Sequence, residues 1–378
     1  MRPFLLAGRE SHIAYDAGEQ PRRARWQSFT MPRVKAWDII IVGGGIIGLS
    51  LAIELRKRGT RVLVVERSEP GREASHAAAG MLADCGAETP AALKPLATAS
   101  ARMYPEFVHE LQDESGIHID LREQGTLVFP PGEEDVDSGS LPAPLNQLEP
   151  ALAEQNWPAI FLKERSVDPR ALVAAALKAA KHRGVDIVSG SPVTRVMTSD
   201  NRVGGVITDK TRYASAVVVN CAGAWAGHLA PLEFPTRPVK GQMLAVAAPR
   251  LLRHVIRAPE VYLVPRSDGR VLIGSTLEDA GYDKRTDAKV IQRMREAAIR
   301  LIPALAQARV LGDWAGLRPG TPDGLPILGA TSVPGYFAAT GHFRDGILLA
   351  PITARGIAQV ITGVRPDYDI AAFSAKRF

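Results

Sequence analysis

Asp38-Ile-Ile-Ile-Val-Gly-Gly-Gly-Ile-Ile-Gly48 decides the fold of this 378-residue chain. Four apolar residues, Ile39 to Val42, spell a strand buried on both faces, since no polar position alternates with them. Three glycines then share one turn, and Leu49 to Leu55 continues as an apolar helix that ends near Gly59. Arg61 to Val65 is the next strand, closed by Glu66, which lies 18 residues after Gly48. In such a unit Gly43 makes the tight turn, Gly45 leaves room for a pyrophosphate against the backbone, and Gly48 lets the helix lie close to its strands. Unpaired amides of the first helical turn attract that anion. Glu66 stands where a carboxylate accepts from both hydroxyls of a ribose. A glycine-rich turn that bound nothing would leave three conformationally costly residues unexplained. The stretch points to a dinucleotide.

The length is enough for a large core and two structural units. Net charge is +6, but seven of the 46 basic and three of the 40 acidic residues fall within the first 35, so four of the six charges sit there. The remainder is nearly balanced, and its high pI says little about the folded body. No zinc-finger spacing, basic helix or aromatic-basic interleaving is present, so nucleic acid is not an expected partner. Cys85 and Cys221 are too few for a disulfide framework and suit a reducing, cytoplasmic setting. The most apolar stretch, Ile39 to Ile53, is only 15 residues long, too short to span a bilayer. The histidines fall at no metal-ligand spacing, so no metal is expected.

Further along, Gly71 to Met81 is a small, polar, glycine-flanked loop suited to close approach by a ligand. Leu96 to Leu111 reads as a helix stopping before Ser115-Gly116, Gly125 to Phe129 as a short strand, and Pro130 to Pro144 as a surface loop. Asp168 caps, and Pro169 opens, a helix Arg170 to His182. Strands follow at Asp186 to Val188, Val193 to Met197 and Arg202 to Thr208. Ala216 to Gly223 repeats the strand-into-glycine pattern and returns to the first sheet. Gln242 to Ala247, Val261 to Pro265 and Val271 to Ser275 suggest an antiparallel sheet, followed by a helix Ala288 to Leu301. Trp314 onward is expected to rejoin the nucleotide unit and to end in a helix Ile347 to Thr362. The expected class is therefore mixed α/β (α+β in character), a Rossmann-like dinucleotide domain interleaved with an antiparallel-sheet substrate-binding domain. Residues 1–35 read as a disordered leader or over-extended start. Residues 36–90, 165–235 and 312–370 make the first domain, and 91–164 and 236–311 the second.

Four stretches carry candidate chemistry. Trp314-Ala-Gly-Leu-Arg-Pro-Gly320 holds Arg318, whose planar fork suits a carboxylate in an apolar pocket. Gly341-His-Phe-Arg-Asp-Gly-Ile347 places His342, Arg344 and Asp345 before the last helix. Tyr262 lies in a strand, where it serves as a carboxylate donor or as an ordinary sheet residue. Lys240 stands beside Gly241, where a cation would help oxygen accept an electron. No serine-hydrolase or phosphate-loop pattern is present.

These residues resemble the FAD-dependent D-amino acid oxidase and glycine/sarcosine oxidase superfamily, and within it the glycine oxidases of thiamine biosynthesis, from Asp38 to about Phe373. The fingerprint alone is widely shared. Specificity comes from its combination with Ala77-Ala-Ala-Gly-Met81, Pro238-Val-Lys-Gly241, Tyr262-Leu-Val-Pro-Arg266, the Arg318 stretch and Gly341 to Pro351. The resemblance implies that FAD is held by Gly43, Gly45, Ile46, Ile47, Gly48, Glu66 and Arg67. It adds Ala74, Ser75, Ala79, Gly80, Met81, Val193 and Gly223, and the run His342, Phe343, Arg344, Asp345, Gly346, Ile347 and Leu348. It implies that Arg318 pairs with a substrate carboxylate, supported by Tyr262, with Arg344, Leu277 and Met81 lining the same pocket. Pro259-Glu260 replaces a histidine-bearing loop and Leu277 a methionine, changes that bear on pocket shape. No cysteine lies near Arg318 or Pro319, so the FAD is expected to be non-covalent. The implied reaction oxidises glycine, sarcosine or a small D-amino acid with O2 as acceptor, in a homo-oligomer for which the family suggests a tetramer. Two alternatives stay open: a D-amino acid dehydrogenase passing electrons to a quinone, and a non-catalytic FAD-binding protein.

Overall fold

The computed structural model describes residues 37–84, 86, 89–130, 141–152 and 158–378. The expected leader, Cys85 and most of the loop after Pro130 lie outside the described residues. The opening stretch folds as its pattern dictates. Ile39–Val42 is a strand with all four residues buried, Ile46–Lys57 the helix and Val62–Val65 the next strand. They sit inside a six-stranded sheet in the order Ile327–Ala330, Tyr336–Thr340, Val218–Asn220, Ile39–Val42, Val62–Val65, Asp186–Val188. Its neighbours run parallel except the first pair, Ile327–Ala330 with Tyr336–Thr340, which is antiparallel.

Strand alternation divides the core in two. Ile39, Ile41, Val62 and Val64 face a helical layer formed by Ile46–Lys57, Lys94–Ser115, Pro169–His182 and Ala350–Ile361. Ile40, Val42, Leu63 and Val65 face Val196, Val203 and Val206 of a three-stranded antiparallel sheet. Both faces of the parallel sheet are thus covered, which is why its strands lack polar alternation. Asp168 caps the third of these helices as its sequence predicts, its carboxylate accepting from the amides of Arg170 (2.9 Å) and Ala171 (3.4 Å).

A seven-stranded sheet forms the second layer system, in the order Arg309–Gly320, Arg237–Ala247, Arg270–Gly274, Tyr262–Pro265, Val255–Arg257, Thr126–Val128, Ile160–Leu162. Its pairs are antiparallel except Val255–Arg257 with Thr126–Val128. Leu244, Val246, Leu263 and Ile273 on one face pack on Met294, Ala297, Ala298 and Leu301 of the amphipathic helix Ala288–Leu301.

Three expectations change. The Trp314 stretch does not rejoin the parallel sheet: it belongs to Arg309–Gly320, paired along its length with Arg237–Ala247, and the chain returns only at Ile327. Helix Lys94–Ser115, expected with the substrate unit, buries Leu96, Tyr104, Val108 and Leu111 in the helical layer of the dinucleotide unit. The last helix starts at Ala350 rather than Ile347. In the first two cases the apolar pattern names an element but not the surface it meets; in the third, residues 347–349 are apolar but precede the first helical turn.

Candidate active site

A cavity of about 740 Å³ runs between the two large sheets, from Val193 and Thr194 past the mouth of the first helix to Arg318. Its first part is built by the glycine turn. Gly43 has φ of +110°, and a side chain there would overlap the Cys221 carbonyl. A side chain at Gly48 would overlap the Gly43 carbonyl, so the helix start and the turn touch through backbone alone. Gly45 takes the N-cap position without a capping side chain, and the first helical bond is Leu49 N to Gly45 O at 3.0 Å. Ser75 Oγ accepts from the Ile46 amide at 3.1 Å, while the amides of Ile47 and Gly48 have no acceptor among the described residues. Such an open helix mouth is an anion site.

Glu66 is buried beside this mouth. Its Oε2 accepts from the Gly44 amide at 2.7 Å and its Oε1 from the Ser68 amide at 3.0 Å. Oε1 accepts from Ser68 Oγ as well, at 3.3 Å, so these bonds fix the carboxylate and leave Oε2 a lone pair for a hydroxyl. Arg67 lies with its guanidinium carbon 3.6 Å from the centre of the Trp225 ring and donates to Glu73 at 3.0 Å. Ala74, Ser75, Ala79, Gly80 and Met81 form one wall, held from behind through backbone carbonyls of the segment. Trp314 Nε1 donates to Ala77 O at 3.0 Å, the Val167 amide to Gly80 O at 2.8 Å, and Arg266 to Ala79 O.

The far part of the cavity has the seven-stranded sheet as its floor. Register places Trp314, Met243, Gly274, Tyr262 and Arg257 in one row across five strands. Gly274 contributes no side chain, and the Tyr262 hydroxyl reaches over it to Met243 Sδ at 3.1 Å. Gly316 and Arg318 follow Trp314 on the same face, at alternate positions of one strand. Arg318 Nη2 donates to Ser275 Oγ at 2.7 Å and Nη1 to the Thr276 carbonyl at 3.2 Å. Its guanidinium lies over Gly241, where any side chain would collide with it. Burial pulls the Arg318 pKa below its ordinary value; Tyr262 opposes this and the nearby Arg344 charge adds to it. No carboxylate of the described residues forms an ion pair with Arg318. One N–H on each terminal nitrogen remains for a ligand.

Of the residues singled out from sequence, Gly43, Gly45, Ile46, Ile47, Glu66, Arg67, Ala74, Ser75, Ala79, Gly80, Met81, Val193, Gly223, Tyr262, Leu277, Arg318, His342, Phe343, Arg344, Gly346 and Ile347 all border this cavity. Leu277 sits on its rim, 54 % exposed. Gly48, Asp345 and Leu348 are not in the wall: Gly48 packs on the turn, and the Leu348 carbonyl faces inward to accept from Ser100 Oγ at 2.6 Å. His342 is buried, its Nε2 3.1 Å from Thr353 Oγ1, and burial pulls its pKa down to about 3, so the ring is neutral. Lys240 does not face the cavity; it is buried with Nζ 3.9 Å from Glu278 Oε2, so it is no cation beside a cofactor. Sequence reading missed Arg257, Ser275 and Trp225. Arg257 also borders the cavity and donates from Nη2 to both oxygens of Glu164 at 3.1 Å. Only its register with Tyr262 reveals it.

The family model described as FAD dependent oxidoreductase (DAO) matches residues 38–360, and the chain belongs to that family. It is 37 % identical over 361 residues to the bifunctional protein ThiO/ThiG of Trichormus variabilis, an alignment covering 90 % of this chain and 55 % of that one. The chain thus spans about half the length of the first curated relatives it matches. It is 34 % identical to the hydrogen cyanide synthase subunit HcnC of Pseudomonas aeruginosa, covering 91 % and 97 % of the two chains. The crystal structure of glycine oxidase from Geobacillus kaustophilus superposes with a TM-score of 0.85 at 33 % identity, over 91 % of this chain and 99 % of that one. FAD is the cofactor on which this family depends. The cavity fits it: an uncapped helix mouth with unpaired amides for the pyrophosphate, a fixed carboxylate for a ribose, and a slot continuing to the sheet floor. Cys221, the described cysteine, is a buried thiol whose pKa burial pushes up, a poor nucleophile for a covalent link.

Proposed function

We propose that this chain oxidises glycine, and with it sarcosine and small D-amino acids, using O2. Glycine, O2 and water give glyoxylate, ammonia and hydrogen peroxide. The observation that carries the reading is Arg318, a half-buried guanidinium in the cavity wall with no carboxylate partner among the described residues. A small anionic substrate supplies the missing charge.

In this reading Ile46, Ile47, Glu66, Arg67, Ala74, Ser75, Ala79 to Met81, Val193 and the run from His342 hold FAD along the cavity. When bound, FAD supplies the two-electron acceptor that no side chain offers. Arg318 takes the substrate carboxylate through its two remaining terminal N–H groups. Tyr262, held over Gly274, borders the same space and limits substrate size together with Met81 and Leu277. Arg318 and Arg344 together disfavour another positive charge, so the amine is held neutral, with its lone pair available to the breaking Cα–H bond. His342, neutral and committed to Thr353, neither adds charge nor moves a proton. Much of the rate then comes from orientation. The resemblance supports a place in thiamine thiazole synthesis and a homo-oligomer, and the scarcity of cysteine supports a cytoplasmic setting.

The test is direct. Purified protein should be yellow, bleach when glycine is added without oxygen, and release peroxide over a panel of glycine, sarcosine, D-alanine and D-proline. Flavin reduction followed only by an artificial quinone acceptor, with no oxygen uptake, would replace the oxidase with a dehydrogenase. A bound flavin that no amine bleaches would reject catalysis on these substrates.

A further inference from the structure

We infer that Glu278 is a positioning residue for carboxylate recognition, acting through Thr276 on Arg318; this rests on the reading of Arg318 given above. The guanidinium gets its plane from two groups, Ser275 Oγ and the Thr276 carbonyl. Both lie just beyond the strand Arg270–Gly274, where ladder hydrogen bonds no longer hold the backbone. Side chains hold it instead. Thr276 Oγ1 donates to Glu278 Oε1 and accepts from the Gln242 amide at 2.9 Å. The Gln242 side chain is fully buried and donates from Nε2 to the same Glu278 oxygen at 2.9 Å. Reciprocal backbone bonds of 3.0 Å between Lys240 and Glu278 fasten this residue to the strand Arg237–Ala247.

One carboxylate oxygen is therefore the point where Gln242 and Thr276 meet, and the Thr276 carbonyl is one of the two grips on Arg318. Glu278 itself makes no ion pair with the guanidinium. It steadies the fork without occupying the N–H groups a substrate needs. Loss of the hub lets residues 275–276 drift, and the guanidinium loses its fixed plane. Bidentate carboxylate binding depends on that plane, whereas contacts elsewhere in the cavity do not.

The experiment compares glycine with glycine ethyl ester, which has the amine and Cα–H bond but no carboxylate, on the flavin-loaded enzyme. Glu278→Ala should raise KM for glycine about 10- to 100-fold, the worth of a charge-assisted hydrogen bond, with kcat and the ester's KM within about threefold of wild type. Glu278→Gln keeps an oxygen for Thr276 and Gln242 and should restore glycine KM to within about threefold of wild type. Should Glu278→Ala fail to hold flavin, Thr276→Val breaks the same link and should give the same selective rise. Glycine and ester constants that move together, or a Gln variant as impaired as Ala, would overturn the inference. If wild type itself does not prefer the acid to the ester, the Arg318 reading falls and takes this with it. If wild type prefers the acid and the variants keep that preference, only Glu278's role falls.

Discussion

The Tyr104 hydroxyl donates to the Ile347 carbonyl at 2.5 Å across 243 residues of chain, inside a fully buried environment. Ser100, one turn earlier, does the same for Leu348. The long helix Lys94–Ser115 thus holds, from beneath, the segment that forms one wall of the cavity. Tyr104→Phe removes the donor and leaves a buried carbonyl unpaired, so the protein should lose about 1–3 kcal/mol of stability. Denaturant unfolding of the flavin-loaded protein measures it; an unchanged midpoint would mean the bond is dispensable.

A methyl group at residue 48 has nowhere to go, because its position is taken by the Gly43 carbonyl oxygen. Gly48→Ala should push the helix mouth out of line with the turn. The expected result is protein that emerges without colour and takes up added FAD poorly, read from the flavin absorbance of purified samples. A fully yellow variant would contradict the role of this contact.

Arg318→Ala removes a half-buried, charge-bearing partner. The expected loss in kcat/KM for glycine is about 3–5 kcal/mol, roughly 200- to 5,000-fold, as for truncating one side of a buried charged pair. Flavin content should be unchanged. Near-normal kcat/KM would assign the substrate carboxylate elsewhere.

Gly241→Ala should reproduce much of that defect without touching the arginine. The new methyl falls on the guanidinium, which must leave its bonds to Ser275 and Thr276. Steady-state KM should rise while bound flavin stays constant, and a crystal structure of the variant should show the displaced fork.

His342 makes stability depend on pH. Its folded pKa is near 3 against an ordinary 6.5, so the unfolded chain takes up a proton first as pH falls. Stability is therefore complete above about 6.5 and declines between there and 3, at a slope approaching about 1.4 kcal/mol per pH unit from this group. His342→Asn should flatten the curve in that window, as followed by denaturant titrations at several pH values.

Much of this architecture was legible in the chain because its signals are local. Ile39 to Gly48, Glu66, the Asp168-Pro169 cap and the helix Ala288–Leu301 each follow from neighbours a few residues apart. Arg318 was legible as a chemical type, a fork between glycine and proline. Its surroundings were not, since Gly241, Ser275 and Thr276 reach it only through the pairing of Arg237–Ala247 with Arg309–Gly320 and with residues 276–278. Arg257 was hidden for the same reason: its place beside Tyr262 is a fact of strand register. Trp314 misled because a tryptophan among glycines says nothing of which sheet its strand will join.

Strand order has a bearing on how the chain comes into being. The central strand Ile39–Val42 takes Val218–Asn220 as one neighbour, and that strand in turn awaits Tyr336–Thr340. Synthesis delivers these pieces far apart in time, so the nascent chain carries an open apolar edge over the long interval between them, and the dinucleotide cradle closes only after residues 336–340 have left the ribosome.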